Sequence, residues 1–212
     1  NVKGYEKKIA FIYCIDYLSH DILINMLAPS ENYQAYLAFF QKVKAINYPL
    51  EFLVCDELDS ISLACKYFYP KVKVQNCTNH YKEGIRRDLK VRTNDEHNPF
   101  MSDIENLFNV QSMKDFNGLG NKLYKKYTTN DIYKNILLDI VKKKDVLTIY
   151  LQFKRCPATS NLIELFNSHL EARLRPLKGF NSFHTAELWL NAYVVNRRLS
   201  KFTDCSKKFK HL

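Results

Sequence analysis

The chain has 212 residues, 46% of them hydrophobic and 14% aromatic, which is enough apolar material for a sizeable core and excludes a disordered polymer. Its formal net charge of +10 at pH 7 favours an acidic polymer as partner. Cysteines scattered at 14, 55, 65, 77, 156 and 205 read as free thiols of a reducing compartment; with no signal-peptide pattern and no apolar run long enough for a membrane helix, a soluble cytoplasmic protein is expected.

Residues 8–16 (KIAFIYCID) are a nearly continuous apolar run, as expected of a strand buried on both faces. Ser19 and His20 turn the chain, and residues 21–28 read as the hairpin partner, broken by Pro29 and Ser30. Residues 32–45 carry Tyr36, Phe39, Phe40 and Val43 at the spacing of an amphipathic helix. The apolar run 51–55 ends on Asp56, where a buried strand brings its side chains into the open. A helix follows, with Ile61, Ala64, Cys65 and Phe68 on one face, and Pro70 stops it. A second strand, residues 72–74, is expected to deliver Gln75, Cys77 and His80 to the same sheet edge as Asp56. An acid at a strand end, a crossover helix and a second polar strand end together describe an α/β active-site edge.

Residues 81–92 form a basic helical stretch in which Arg86, Arg87, Lys90 and Arg92 are candidates for phosphate contacts, the alternative being a solvated helix face. Residues 93–98 read as a loop and a boundary. Residues 97–145 then show the spacing of three short helices, with a break at Gly118-Leu119-Gly120. Within them, KLYKKY offers Lys122, Lys125 and Lys126 to DNA, while the interleaved tyrosines read as half-buried helix edge. Residues 159–175 form a helix whose apolar stripe is Ile163, Phe166, Leu170, Leu174 and Leu177. Glu164 lies about 100° around from Ile163 and shares a face with Asn161, Asn167 and Ser168. On spacing alone, Asn161 and Glu164 fit a variant of the capping box. A closing helix begins at Phe183, with Leu188, Ala192, Val195 and Leu199 as its stripe and Trp189 and Tyr193 near that face; residues 197–210 are basic.

Two blocks carry a family resemblance. In the first, Asp56, Pro70, Gln75, Cys77 and His80 stand in the order of an Asp, a Pro and a Gln-x-Cys-x-x-His motif; Ser60 replaces a usual Gly and Phe68 a usual small residue. In the second, ATSNLIELFNSHLEARLRPLKGFNSF, the matching residues are Asn161, Glu164, Asn167, Gly179 and Phe180. In both the chain resembles mutator-type transposases, across residues 9–200 and weakly between 95 and 145.

The resemblance implies a metal-dependent transposase that cleaves and transfers DNA strands. Its core would be an RNase H-like mixed α/β sheet flanked by helices, with an all-helical insertion. Residues 1–95 and 146–180 would be the core, 96–145 the insertion, and 181–212 a C-terminal helix and basic tail. The order strand, strand, helix, strand is that of an RNase H-like sheet from its second strand onward. Asp56 and Glu164 match two acids of an Asp-Asp-Glu triad that would hold two Mg²⁺ or Mn²⁺ ions. The first acid of the triad lies on an earlier strand in that family, so the chain is expected to begin downstream of it. Asp16 is a possible third acid; its alternative is a turn residue bonded to local amides. The implied partners are double-stranded DNA, as transposon ends and target, and further copies of the chain in the active complex. Cys77 and His80 are half a zinc site with no second pair at metal spacing, so zinc is not expected. A transposase remnant that holds DNA without cutting it is the alternative function. A different RNase H-like nuclease is disfavoured by the long insertion and the Gln-x-Cys-x-x-His block.

Overall fold

The computed structural model describes residues 1–200. The chain is mixed α/β, dominated by helix, and divides into two compact units. Residues 201–212, with Cys205 and most of the basic tail, lie outside the described residues.

Among the described residues, the first unit comprises Asn1–Leu50, Asp59–Pro70 and residues 161–200. Strand β1 (Ala10–Ile15) pairs antiparallel with β2 (Ile22–Ala28), from Ala10 opposite Ala28 to Ile15 opposite Ile22, with an irregularity between Cys14 and Ile15. The hairpin was expected; burial of β1 on both faces was not met. Only Ile12 of β1 is buried, and the other five residues are half covered, because a sheet of two strands is too narrow for the helices packed on it to seal. Helix α1 (Tyr33–Ala45) starts where Asn32 accepts the Ala35 N–H at 3.0 Å and buries Tyr36, Phe39, Phe40 and Val43, the expected stripe. Helix α2 (Asp59–Phe68) packs along α1 and seals Ala64 and Cys65 completely.

The core under β2 is closed by the last two helices of this unit, formed by residues 161–174 and 183–199. Phe166 and Leu170 of the first pack with Ala186, Leu190 and Val194 of the second against Val2, Ile22 and Leu27. The expected stripe on residues 183–199 is corrected here: Leu188, Val195 and Leu199 are exposed. This helix carries apolar residues almost all round, so periodicity does not select a face, and the smaller Ala186 lets it approach β2. Gly179 adopts φ +126, and a Cβ there would stand 3.0 Å from the Asn1 carbonyl oxygen. That close approach is where the Phe180 N–H donates to the Asn1 oxygen at 3.0 Å and the Lys3 N–H to the Phe180 oxygen at 2.9 Å.

Asp16 sits in the β1–β2 turn. Its Oδ1 accepts the backbone N–H of Leu18 at 3.0 Å, the N–H of Ser19 at 2.6 Å and the Ser19 hydroxyl at 2.8 Å, while Oδ2 accepts the Tyr48 hydroxyl. Burial raises the Asp16 pKa, but the bonds from Tyr48, Ser19 and Leu18 outweigh it and hold the carboxyl below its ordinary value. A depressed native pKa contributes stability above the unfolded carboxyl pKa, about 3.9, and that stability is lost as pH falls through the native value. Asp16→Asn should therefore lower the unfolding free energy obtained from urea melts at pH 7 by an amount on the order of 1–2 kcal/mol and flatten its decline in acid. An unchanged acid limb would show that the turn bonds do not depend on the charge.

The second unit comprises Glu51–Leu58 and Lys71–Ser160. Strand β3 (Phe52–Cys55) pairs in parallel with β4 (Lys73–Asn76). Among the described residues the strands thus form two two-stranded sheets. The second strand lies slightly later than the apolar run 72–74 suggests, because β4 includes polar Gln75 and Asn76, paired with Val54 and Cys55.

Helices α3 (Thr78–Asp88), α4 (Asn98–Phe108), α5 (Met113–Lys126) and α6 (Asp131–Lys142) follow, then two short ones, α7 (Lys144–Leu147) and α8 (Ile149–Gln152), which pack on β4. The two helices introduced above by their residues are α9 (Asn161–Leu174) and α10 (Phe183–Leu199). The helical core of this unit is built on Phe100, Ile104, Leu107, Ile140 and Leu147, all nearly inaccessible, each contributing about 1.5–3 kcal/mol by burial. Phe100 and Tyr133 stack with centroids 4.1 Å apart. The break expected at Gly118-Leu119-Gly120 does not occur: α5 runs through it, started by the Ser112 cap and fixed by Phe116 and Leu123. Isolated glycines cost a helix only about 1 kcal/mol each, which this anchoring offsets.

Candidate active site

The site in the second unit follows from the parallel register. Cys55 lies opposite Asn76, so both strands end at one edge, with Asp56 just past β3 and Cys77 just past β4. The Cys77 N–H donates to the Cys55 carbonyl at 2.8 Å and carries the pairing one step beyond the strands. Cys77 is also the N-cap residue of α3, which puts His80 in the first turn of that helix. The N–H of Thr78, a helix-start donor without an intrahelical partner, reaches the Ala158 carbonyl at 3.0 Å. That bond ties the segment before Ser160 to the start of α3.

Asp56, Cys77 and His80 converge here, with one ligating atom from each lying within 4.8 Å of the others. His80 Nδ1 and Asp56 Oδ1 are 2.7 Å apart, and the two side chains are 45% and 57% exposed. The Cys77 sulfur is buried and accepts the Ser160 backbone N–H at 3.3 Å; the Ser160 hydroxyl lies 3.4 Å from His80 Nδ1. Burial pushes the Cys77 thiol up, but hydrogen bonds from Ser160 and His80, through backbone and side chains, bring it below its ordinary value. Cys14 is pushed up to about 11, and Cys55 and Cys156 to about 12, chiefly by burial. The arrangement can orient a carboxylate through an imidazole and can present nitrogen, sulfur and oxygen donors at one point.

Gln75 does not reach this cluster. Its side chain is fully buried, donating to the Asn76 and Leu147 carbonyls at 2.7 and 3.1 Å and accepting the Tyr150 N–H at 3.1 Å. Beside the cluster, Lys143 pairs with Glu57 at 2.6 Å and Asp139 at 2.8 Å, and Asp139 accepts the Tyr81 hydroxyl at 2.8 Å. Ser160 and this ion-pair chain were not singled out in the sequence. The sequence reading places Ser160 inside the helix 159–175, whereas α9 begins at Asn161 and Ser160 precedes it.

Glu164 lies in the first turn of α9, exposed, as are Asn161, Asn167 and Ser168. Asp56 and Glu164 belong to different compact units. Of the candidate DNA contacts, Arg86 is engaged by Glu83 and Glu105, and Lys126 pairs with Asp103 at 2.6 Å. Arg87, Lys90, Arg92, Lys122 and Lys125 are exposed. Among the described residues no helix is long and apolar enough to cross a membrane.

The family model described as "Transposase, Mutator family" matches residues 15–198. No curated protein matches the chain.

Proposed function

Because the chain belongs to the Mutator family of transposases, we propose that it carries a catalytic domain for metal-dependent cleavage of DNA strands at transposon ends and their transfer to target DNA. The observation that carries this reading is Asp56, an exposed carboxylate at a strand end, held by His80 in the order of residues the family resemblance requires. The RNase H-like core, with residues 96–145 as a helical insertion, is part of the proposal.

Asp56 and Glu164 are the proposed metal ligands. The exposed Asp56 carboxylate fits Mg²⁺ or Mn²⁺, which take one or two protein carboxylates and complete their shell with water and substrate phosphates. Cys77 and His80 are softer donors and are not assigned to that ion. When bound, the ions would supply activation of water or a 3′-hydroxyl and stabilisation of the leaving oxygen. His80 restrains the Asp56 carboxylate, Cys77 and Ser160 hold the His80 turn in place, and Gln75 braces β4 beneath them. The exposed Arg87, Lys90, Arg92, Lys122 and Lys125 would contact phosphates, with affinity falling as salt rises. Arg86 and Lys126, engaged by carboxylates, would contribute less. Active complexes would contain several copies of the chain, each working on double-stranded DNA.

The test is a calorimetric titration with Mn²⁺ of the protein and of Asp56→Asn and Glu164→Gln. Loss of binding in both variants is expected. Binding unchanged in Glu164→Gln would remove Glu164 from the site.

A further inference from the structure

We propose that Asp56, Cys77 and His80 form an open three-ligand site for a thiophilic divalent cation of the Zn²⁺ class, distinct in chemistry from the hard-cation role assigned to Asp56. Thiolate, imidazole and carboxylate are the donor set that such ions take, and three protein ligands leave a fourth position for water or a phosphate oxygen.

The geometry is close to what the ion needs. With zinc–sulfur bonds of about 2.3 Å and zinc–nitrogen and zinc–oxygen bonds of about 2.0–2.2 Å, tetrahedral ligand atoms stand roughly 3.3–3.6 Å apart. The three ligand atoms here lie within 4.8 Å of one another, and the closest pair, His80 Nδ1 and Asp56 Oδ1, is at 2.7 Å. A cation would sit between these ligand atoms, which would adjust by about 1 Å, within reach of side-chain rotation. His80 and Asp56 are about half exposed, so an ion can enter and solvent can complete its shell.

The sulfur is prepared independently. Its backbone is fixed by the Cys77 N–H bond to the Cys55 carbonyl, and the Ser160 N–H donates to the sulfur at 3.3 Å. An N–H aimed at sulfur favours the thiolate, the form that binds metal. The ligands Cys77 and His80 come from the start of α3, and Asp56 comes from the end of β3. Counting Cys-His pairs along the chain misses such a site, because its third ligand arrives through the parallel register. If Asp56 also serves the transposase reaction, a consequence that rests on the reading above, a Zn²⁺-class ion competes with Mg²⁺ for it.

The experiment is a Co²⁺ titration of the reduced full chain, followed by absorbance. Wild-type protein should develop a thiolate-to-cobalt charge-transfer band in the near ultraviolet with the strong visible bands of tetrahedral cobalt, and Zn²⁺ should displace both. Cys77→Ser should abolish the charge-transfer band, whereas Cys55→Ser should retain it. Asp56→Asn and His80→Ala, both at exposed side chains, should each weaken Co²⁺ binding by at least the ~10–100-fold that even an outer-sphere loss costs. Glu164→Gln should leave the band intact, which separates this site from the Mn²⁺ site. No charge-transfer band in wild-type protein, or one that survives Cys77→Ser, would overturn the proposal.

Discussion

Asp56→Asn and Glu164→Gln should each abolish cleavage of transposon-end DNA in a transposase carrying this chain, lowering the rate on the order of 10³-fold or more. A metal ion contributes several kcal/mol of transition-state charge stabilisation, and each 1.36 kcal/mol is a factor of ten. Both substitutions keep the shape of the side chain and remove only its charge. Both side chains are exposed, so folding should be unaffected, as circular dichroism would show. His80→Ala should give a smaller loss, about 10–100-fold, because it frees the carboxylate without deleting it. Nicked and joined products resolved on a denaturing gel measure all three. Cleavage undiminished in Glu164→Gln would defeat its assignment. A wild-type protein that binds the DNA ends without cutting them would instead support the DNA-holding alternative.

Gln75→Leu should destabilise the second unit by about 3–5 kcal/mol. Leucine fills a similar volume but makes none of the three bonds of the amide, leaving the carbonyls of Asn76 and Leu147 and the N–H of Tyr150 to find other partners. An unsatisfied buried group costs about 1–3 kcal/mol, and the whole domain's stability is only about 5–15 kcal/mol. The amide can be oriented only one way, since two carbonyls require its NH₂ and an N–H requires its oxygen. Gln75→Glu should be worse at neutral pH, because it turns a donor into a charged acceptor facing those carbonyls. Urea unfolding followed by tryptophan-independent circular dichroism measures the difference. A loss below about 1 kcal/mol would mean that water replaces the amide in the cavity.

Gln75 also shows how a motif residue can be legible in sequence while its role is not. Its place in Gln-x-Cys-x-x-His suggests proximity to the chemistry, and its side chain is instead spent on joining β4 to α7 and α8. The residues one position past the strands, Asp56 and Cys77, were readable as strand-end groups from the apolar runs that precede them. Their meeting with His80 at one sheet edge was expected too; what the sequence did not give is the register, Cys55 opposite Asn76 in a parallel pair, that brings the three side chains within ligating distance.

Local chemistry was sufficient for the elements themselves. The hairpin, the Tyr36–Phe39–Phe40–Val43 face of α1, the helix stopped before Pro70 and the three helices after residue 97 follow from periodicity, caps and breakers, which act over a few neighbouring residues. Tertiary packing decided the rest. It chose Ala186, Leu190 and Val194 over Leu188, Val195 and Leu199 as the buried face of α10, since an apolar surface all round carries no directional signal. It carried α5 through Gly118 and Gly120, because Phe116 and Leu123 anchor the helix more strongly than the glycines weaken it. It brought Ser160 to the Cys77 sulfur across more than eighty positions of sequence, a contact whose energy exists only once the two segments have met.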